Sequence, residues 1–167
     1  MSTRSQIEFS VKGEYLNRRT GKVVKYNDGK VLIYRHSDGY PDKDGYGVIP
    51  SLKEFFKWNA GRNDLEYMTA NFILFEKLSM IAHSNQWAKN DSTYGRIQTI
   101  ESILKSNKDS NANWLVGYGI CQVGNIHGDI EYFYNVEVKH SENDTTVLVK
   151  VRRSPKGKII EKHEIKV

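Results

Sequence analysis

The feature that most constrains the fold is an alternation of apolar and polar residues that fills the C-terminal part of the chain. The apolar members are Ile130, Tyr132, Tyr134, Val136 and Val138 in one segment and Val147, Val149 and Val151 in the next. Successive side chains of a strand point to opposite faces, so this period of two predicts strands with one buried face. Turn-forming residues at 141–144 and 155–157 separate these strands and lead into a last strand over residues 158–165. With a further strand over residues 115–123, they predict a four-strand antiparallel meander.

The first part of the chain also predicts strands. Ile7, Phe9 and Val11 alternate with polar residues and indicate an opening strand over residues 6–11. The sequence Asn27-Asp28-Gly29 stands between two segments rich in β-branched residues, 23–26 and 31–34, and this pattern is typical of a β-hairpin turn. The glycine- and aspartate-rich residues 37–49 predict a long structured loop.

Helical spacing occupies the middle of the chain. A short helix is predicted from Pro50, and Asn63 or Asp64 can cap a longer one. The apolar stripe of the long helix consists of Leu65, Met68, Phe72, Phe75, Leu78 and Ala82. Residues 94–105 indicate a weaker helical segment. Residues 1–167 are thus predicted to form a single α+β domain, in which an antiparallel sheet with the C-terminal meander packs against one long and one or two short helices.

Basic residues concentrate at both ends of the chain. The net charge is +5, yet residues 1–35 and 145–167 each carry +5 and residues 36–144 carry −5. No apolar run approaches the roughly 18 residues of a membrane span, and the N-terminus lacks an apolar signal-peptide stretch, so we expect a cytoplasmic protein with no membrane partner. The single cysteine, Cys121, can form neither an intrachain disulfide nor a cysteine-based zinc cluster and is expected to pack as a small apolar residue.

Two segments at predicted strand ends are rich in polar and reactive side chains. Strand ends can present side chains without loss of ladder hydrogen bonds, which makes them plausible positions for a site. The candidate ligand-binding residues are Arg35, His36, Asp38 and Tyr40 in the first segment and His127, Asp129, Glu131 and Tyr132 in the second.

The two segments carry a resemblance to a known family. The sequence Tyr34-Arg35-His36-x-Asp38-Gly39-Tyr40-Pro41, followed by His127-Gly128-Asp129-x-Glu131-Tyr132-x-Tyr134, resembles a family of small proteins from bacteriophages, archaeal viruses and genomes that carry their remnants. The match extends to residues 66–72 and covers about half of the chain. It implies an accessory protein of a virus or mobile element that acts inside the host cell.

The chemistry of the two motifs admits three interpretations. His36 with Asp38, and Asp129 with Glu131, are spaced so that each pair can share one face of a strand and converge on a metal ion or polarised water, with His127 as ligand or general base. Alternatively, Asp38 and Gly39 form a turn, and His36 hydrogen-bonds Asp129 or Glu131 to tie the two loops together.

The third interpretation is a pocket for a nucleotide or another polar small ligand. Arg35 would meet an anion, and Tyr40, Tyr132 or Tyr134 would stack on a ring. No glycine-rich phosphate loop accompanies these residues in the sequence.

The basic ends indicate a nucleic-acid interface. Two predicted turns carry the candidate residues, which are Arg18 and Arg19 in one and Arg152, Arg153, Lys156 and Lys158 in the other. Two such loops could straddle a phosphate backbone and bind it without sequence preference. Lysine-rich hairpins equally protect sheet edges from pairing with other chains.

These observations favour a non-catalytic binding protein of viral or mobile-element origin that modulates a host component, such as a defence system, through the polar motifs or the charged surfaces. Its expected partner is a host protein or a small polar ligand, and no resident metal or cofactor is expected. The alternatives are a metal-dependent phosphoesterase or nuclease that uses the His, Asp and Glu residues, and a nucleic-acid-binding protein that uses the basic ends.

Overall fold

The computed structural model describes residues 3–59, 64–90, 99–105, 117–141 and 144–167, which form one sheet and three helices. The strands are β1 (Ser5–Asn17), β2 (Lys22–Arg35), β3 (Tyr118–Cys121), β4 (Tyr132–His140), β5 (Thr145–Arg152) and β6 (Ile159–Lys166). The helices are α1 (Val48–Trp58), α2 (Leu65–Asn90) and α3 (Ile100–Lys105). The predicted α+β class, with one long and two short helices, is confirmed.

The strand order corrects the predicted meander. The order is β3-β2-β1-β4-β5-β6, and all neighbours are antiparallel except β1 and β4, which are parallel. Strands β4, β5 and β6 form a three-strand meander. The fourth expected member, β3, pairs with β2 at the opposite edge of the sheet. The chain between β3 and β4 therefore crosses two strands, and local turn signals carry no information about such long-range pairing.

The predicted hairpin around Asn27 is also wrong. Strand β2 runs without a break from Lys22 to Arg35, and its register against β1 shifts opposite Asp28 and Gly29. Gly29 has φ +89° and donates its backbone N–H to the side chain of Asn27, so these residues form a bulge. The true turn, at residues 18–21, lies between β1 and β2, where the side chain of Asn17 accepts backbone hydrogen bonds.

The helices cover one face of the sheet. Ile7, Phe9 and Val11 of β1 are buried as predicted, and Phe9 meets Phe72 of α2 with ring centroids 5.1 Å apart. The helix begins at Leu65 but continues beyond the predicted stripe to Asn90. Of the weaker helical segment predicted at residues 94–105, residues 94–98 lie outside the described part of the chain, and α3 occupies Ile100–Lys105. Among the described residues, no helix combines the length and apolar character needed to cross a bilayer.

The buried stripe of α2 turns away from its predicted course after Phe72. Leu78 is 42% exposed and Ala82 is exposed, whereas Glu76 is buried. The helix therefore places the carboxylate of Glu76 against the sheet, whereas the pattern of apolar residues predicted apolar side chains there.

The opposite face of the sheet, which we call the open face, is covered by no described helix. The β3–β4 loop (residues 122–131) folds over one end of it, where buried Gln6 donates a hydrogen bond to the carbonyl of Asn125 and accepts one from the backbone of His127. The remainder of this face carries the polar members of the alternating strands.

The β2–α1 loop (residues 36–47) is held against the start of β1 by a close backbone contact at Gly39. Its N–H donates to the carbonyl of Thr3 at 2.9 Å, and its carbonyl accepts from the buried hydroxyl of Tyr134 at 2.8 Å. A Cβ at Gly39 would lie 2.8 Å from backbone atoms of Arg4 and Ser5. Only glycine fits between these two segments.

We predict that Gly39→Ala destabilises the protein by about 1–3 kcal/mol, because overpacking against rigid backbone forces the segments apart. Urea unfolding measures the change. Gly128→Ala is the matched control, since no atom lies within 4 Å of its added methyl group. Equal stability of the two variants would show that the loop does not depend on this contact.

Candidate functional site

A buried ionic cluster lies between the helices and the sheet. Arg35 ends β2 directly opposite Tyr118 of β3, and both face α2, where Glu76 lies. Arg35 Nη1 is 3.6 Å from Glu76 Oε1, and the two side chains are only 9% and 5% exposed. The hydroxyl of Tyr118 donates to Glu76 Oε2 at 2.5 Å, and the hydroxyl of Ser51 on α1 donates to Glu76 Oε1. Four elements therefore meet at one carboxylate.

Arg35 keeps its charge and Tyr118 its proton although both side chains are buried. Desolvation lowers the pKa of Arg35, but Tyr118, Glu76 and Asp38 together more than offset it, so the net shift is upward. Burial raises the pKa of Tyr118 well above its ordinary value, with Glu76 adding to the rise and Arg35 opposing it. Arg35 thus remains a cation and Tyr118 a neutral hydrogen-bond donor at physiological pH.

One donor of the cluster, Arg35 Nη1, lies in an ion pair but makes no hydrogen bond to a described residue. Arg35 Nε donates to the carbonyl of Ser37 at 2.8 Å, but the buried Nη1 has no hydrogen-bond partner among the described residues. Buried N–H groups are rarely unpaired, and such a group in a charged side chain is a costly arrangement.

A cavity of about 320 Å³ lies beside the cluster. Arg35, Glu76 and Tyr118 form part of its wall, Phe75 and Met80 of α2 supply an apolar side, and Asp38 and Glu54 add carboxylates. Exposed Tyr46 and His83 also line it, with ring centroids 6.0 Å apart. The cavity therefore combines an apolar wall with charged and aromatic groups, which is the usual character of small-molecule sites.

The first sequence motif shapes one wall of this cavity. Asp38 has φ +52° and accepts a hydrogen bond from the hydroxyl of Tyr40 at 3.3 Å. The carbonyls of Tyr40 and Pro41 accept from the backbone of Val48 and Ile49, which fixes the loop to the start of α1. Asp38 thus lines the cavity, while Tyr40 supports the loop that carries it.

The second motif lies on the open face of the sheet. His127 stacks on Tyr34 with ring centroids 4.5 Å apart, and its Nε2 is 3.6 Å from the sulfur of Cys121. Asp129 accepts from Arg4 at 2.5 Å and from the hydroxyl of Tyr34 at 3.3 Å. Partial desolvation opposes ionisation, but the hydrogen bond and charge of Arg4 lower the pKa of Asp129 below its ordinary value. Asp129 is thus a carboxylate with two partners.

The sheet separates the two motifs. Arg35 and Asp38 meet at the cavity, whereas His127 and Asp129 lie across the strands from it. The backbone of His36 donates to the carbonyl of Gly117, and the ring of His36 packs edge-on against Tyr34.

Glu131 and two of the three tyrosines expected to stack on a ligand also lie away from the cavity. Glu131 is exposed, and its backbone N–H donates to the carbonyl of Arg4. Tyr132 lies under the guanidinium of Arg153, and Tyr134 is buried with its hydroxyl bound to Gly39.

The structure gives the metal interpretation no shared ligand set. Within the described ranges, no group of three or more His, Cys, Asp or Glu side chains is placed to hold a metal ion. Asp129 and Glu131 precede β4, which begins at Tyr132, so the alternation expected of a strand does not apply to them. Asp129 is instead occupied by Arg4 and Tyr34.

The two basic turns lie at opposite ends of the strands. The turn with Arg18 and Arg19 follows the end of β1. The turn with Lys156 and Lys158 follows β5 and lies near the start of β1, because the last residue of β5, Arg152, pairs with Phe133 beside the start of β1. Since β1 is 13 residues long, about 40 Å separates its ends. Arg152 also donates to Asn135 and to the carbonyl of Gly157, which stabilises its own turn. The two loops therefore cannot grip one short stretch of backbone from neighbouring positions.

Sequence reasoning missed the residues that complete the cavity: Ser51, Glu76, His83 and Tyr118. Glu76 carried a signal, because it follows Phe72 by four residues and so occupies a position on the buried side of the helix. A charged residue at such a position predicts a buried partner of opposite charge.

No protein-family model, curated protein or solved structure matches this chain. The site is therefore interpreted from its own geometry.

We predict that Arg35→Leu destabilises the protein by about 3–5 kcal/mol, because it leaves the Glu76 carboxylate buried without its cation. Adding Glu76→Leu should recover a large part of the loss, since an apolar pair needs no charge compensation. A double-mutant cycle from urea unfolding measures the coupling. Additive losses in the double variant would contradict the pairing.

We predict that stability falls as the pH rises above about 10, because the unfolded chain releases the Tyr118 proton near its ordinary pKa while burial raises the pKa in the folded state. The contribution is fully present below that pH and is lost above it. Tyr118→Phe should flatten the alkaline decline in unfolding free energy, whereas Phe at exposed Tyr15 should not. An unchanged decline in Tyr118→Phe would contradict the assignment.

Proposed function

We propose that this protein is a non-catalytic binding protein whose cavity at Arg35 takes a small polar ligand. The observation that carries the proposal is a buried guanidinium whose Nη1 makes no hydrogen bond to a described residue, in the wall of a cavity of about 320 Å³. A ligand acceptor atom that reaches Nη1 by a small adjustment of the wall relieves the cost of the missing hydrogen bond.

The charges around the cavity define the ligand class. Asp38, Glu54 and Glu76 outnumber Arg35 among the lining residues, so a phosphate group meets net repulsion there. A neutral heterocycle with both acceptor and donor groups suits this lining better, because it can accept from Arg35 and donate to a carboxylate. Its ring can lie against Phe75 and Tyr46. The favoured class is therefore a nucleobase or nucleoside without phosphate.

The bonding of Glu76 supports binding rather than catalysis. Both of its carboxylate oxygens accept hydrogen bonds, one from Ser51 and one from Tyr118, and Arg35 lies beside it. A carboxylate with both oxygens occupied is held in one orientation, which suits it to position a ligand.

The resemblance of the two motifs to proteins of viruses and mobile elements supports the second part of the proposal. In this view, the protein is an accessory factor in the host cytoplasm that modulates a host component, such as a defence system. The cavity would be the means by which it recognises a small molecule of the host.

We predict that Ser79→Trp abolishes ligand binding, because the indole fills the cavity that Ser79 lines. Isothermal titration calorimetry with the common nucleosides and their 5′-monophosphates should show at least one nucleoside binding to the wild type, more tightly than its monophosphate. The variant should lose at least about tenfold in affinity, equivalent to about 1.4 kcal/mol.

Leu78→Trp is the matched control, since the neighbouring Leu78 is exposed and lies outside the cavity. It should bind as the wild type does. Failure of every nucleoside to bind the wild type, or equal binding by Ser79→Trp, would overturn the proposal.

A further inference from the structure

The open face of the sheet carries an excess of positive charge to which both basic ends of the chain contribute. Its members are set by the strand registers, which place residues of neighbouring strands side by side on the same face. The basic residues are Lys12, Lys25, Lys30, Lys139, Lys150, Arg152, Lys162 and Lys166, and the acidic residues are Glu8, Glu14, Glu137 and Glu164. Five strands therefore contribute to one cationic surface.

The carboxylates of this face are largely used by its own lysines. Lys30 pairs with Glu8 at 2.9 Å, while Lys12 and Lys139 both pair with Glu137, at 2.6 and 3.2 Å. The hydrogen bond from Lys12 lowers the pKa of Glu137 by more than desolvation raises it, and the hydrogen bond from Lys139 lowers it further. The surplus positive charge lies further along the sheet, on β5 and β6.

Lys150 and Lys162 form a like-charge pair at the centre of that surplus. They are directly opposite each other across β5 and β6, and neither has an ion-pair partner in the described part of the chain. Like charges at directly opposite positions destabilise a sheet. Charged residues on the edge strand β6 can protect the sheet from pairing with other chains, but this role does not explain the lysine opposite them on the inner strand β5.

A shallow groove and a protruding ribbon extend this surface. The groove, of about 640 Å³, is lined by the basic residues Lys12, Lys30, Lys150 and Arg152, by the ion-paired carboxylates Glu8 and Glu137, and by Ser10 and Asn135 among other residues. Gly13 is the last residue of β1 that pairs with β4, so β1 and β2 continue beyond the sheet as a two-stranded ribbon. Arg18 and Arg19 form the tip of this ribbon.

We propose that the open face and its ribbon bind the phosphate backbone of a nucleic-acid duplex. The ribbon has the dimensions for a duplex groove, because its strands lie about 4.8 Å apart and a major groove is about 12 Å wide. Lysines spread over a surface contact phosphates on both sides of such a groove, while Ser10 supplies a neutral hydroxyl.

The aromatic residues of this face favour a duplex over a single strand. Among the residues that the described strands place there, the aromatic side chains are Tyr34 and Phe133. Tyr34 is already stacked on His127, and Phe133 is only 2% exposed. Single-strand binding depends on free aromatic rings that stack on bases, and the described residues of the open face offer none.

The test compares two double variants with the same loss of charge. Lys150→Ala with Lys162→Ala removes the like-charge pair, whereas Lys53→Ala with Lys57→Ala removes two exposed lysines from α1 on the opposite side of the sheet. Fluorescence anisotropy with a labelled random-sequence duplex DNA is measured from about 50 to 200 mM salt. The first variant should weaken binding by at least about tenfold at low salt and reduce the slope of log K against log salt by about two.

The first variant should also be at least as stable to urea as the wild type, because it relieves a repulsion, so weaker binding cannot be ascribed to unfolding. Equal losses in the two variants would assign binding to net charge alone and overturn the proposal. So would the absence of duplex binding at about 50 mM salt. Tighter binding to a single strand of the same sequence, or equal binding to polyglutamate, would likewise overturn it in favour of another partner.

Discussion

The parallel pairing of β1 with β4 is the constraint on which the rest of the structure depends. Strand β1 joins the N-terminal hairpin to the C-terminal meander, and its register with β4 runs from Ser5 to Gly13. Ser5, Gln6 and Ile7 are all buried, because helices cover one face of this strand and the β3–β4 loop covers the other. Any shift of this register by one residue would turn Ile7, Phe9 and Val11 away from the helices.

Reactive side chains that are neighbours in the sequence lie on opposite faces of the sheet. Tyr34 and Arg35 follow one another at the end of β2, yet Arg35 points toward α2 while Tyr34 packs against His127 on the open face. A strand sends neighbouring side chains to opposite faces. A motif of consecutive reactive residues therefore becomes two half-sites, one built around Glu76 and one around Asp129.

The two faces also differ in how they treat charge. On the helical side, Arg35 and Glu76 are buried as an ion pair. Separating a buried ion pair costs more free energy than its formation contributes, so this pair fixes how α2 lies on the sheet. On the open face, the charges are exposed, and cross-strand pairs leave an excess of lysine. The basic ends of the chain thus contribute to one surface because β1 and β2 lie beside β4, β5 and β6.

Local patterns in the sequence were sufficient for the elements themselves. The alternation in β1, β4 and β5, the loop after Arg35 and the start of the long helix at Leu65 all depend on neighbouring residues, and the α+β class follows from them. The Asn27-Asp28-Gly29 signal misled because a bulge and a turn use the same residues, and only pairing with β1 distinguishes the two. Arg35 and Asp38 were found as site residues from their motif, but Ser51, Glu76 and Tyr118 come from three distant elements.

Side-chain period and turn chemistry act over a few residues, so the sequence alone was enough to locate most of the strands and helices. The tertiary structure decided which strands are neighbours, which face each polar residue occupies and which charges are buried together. These properties depend on contacts between residues far apart in the chain, such as Glu8 with Asn135 and Glu76 with Tyr118. Their energies are realised only when the whole sheet has formed.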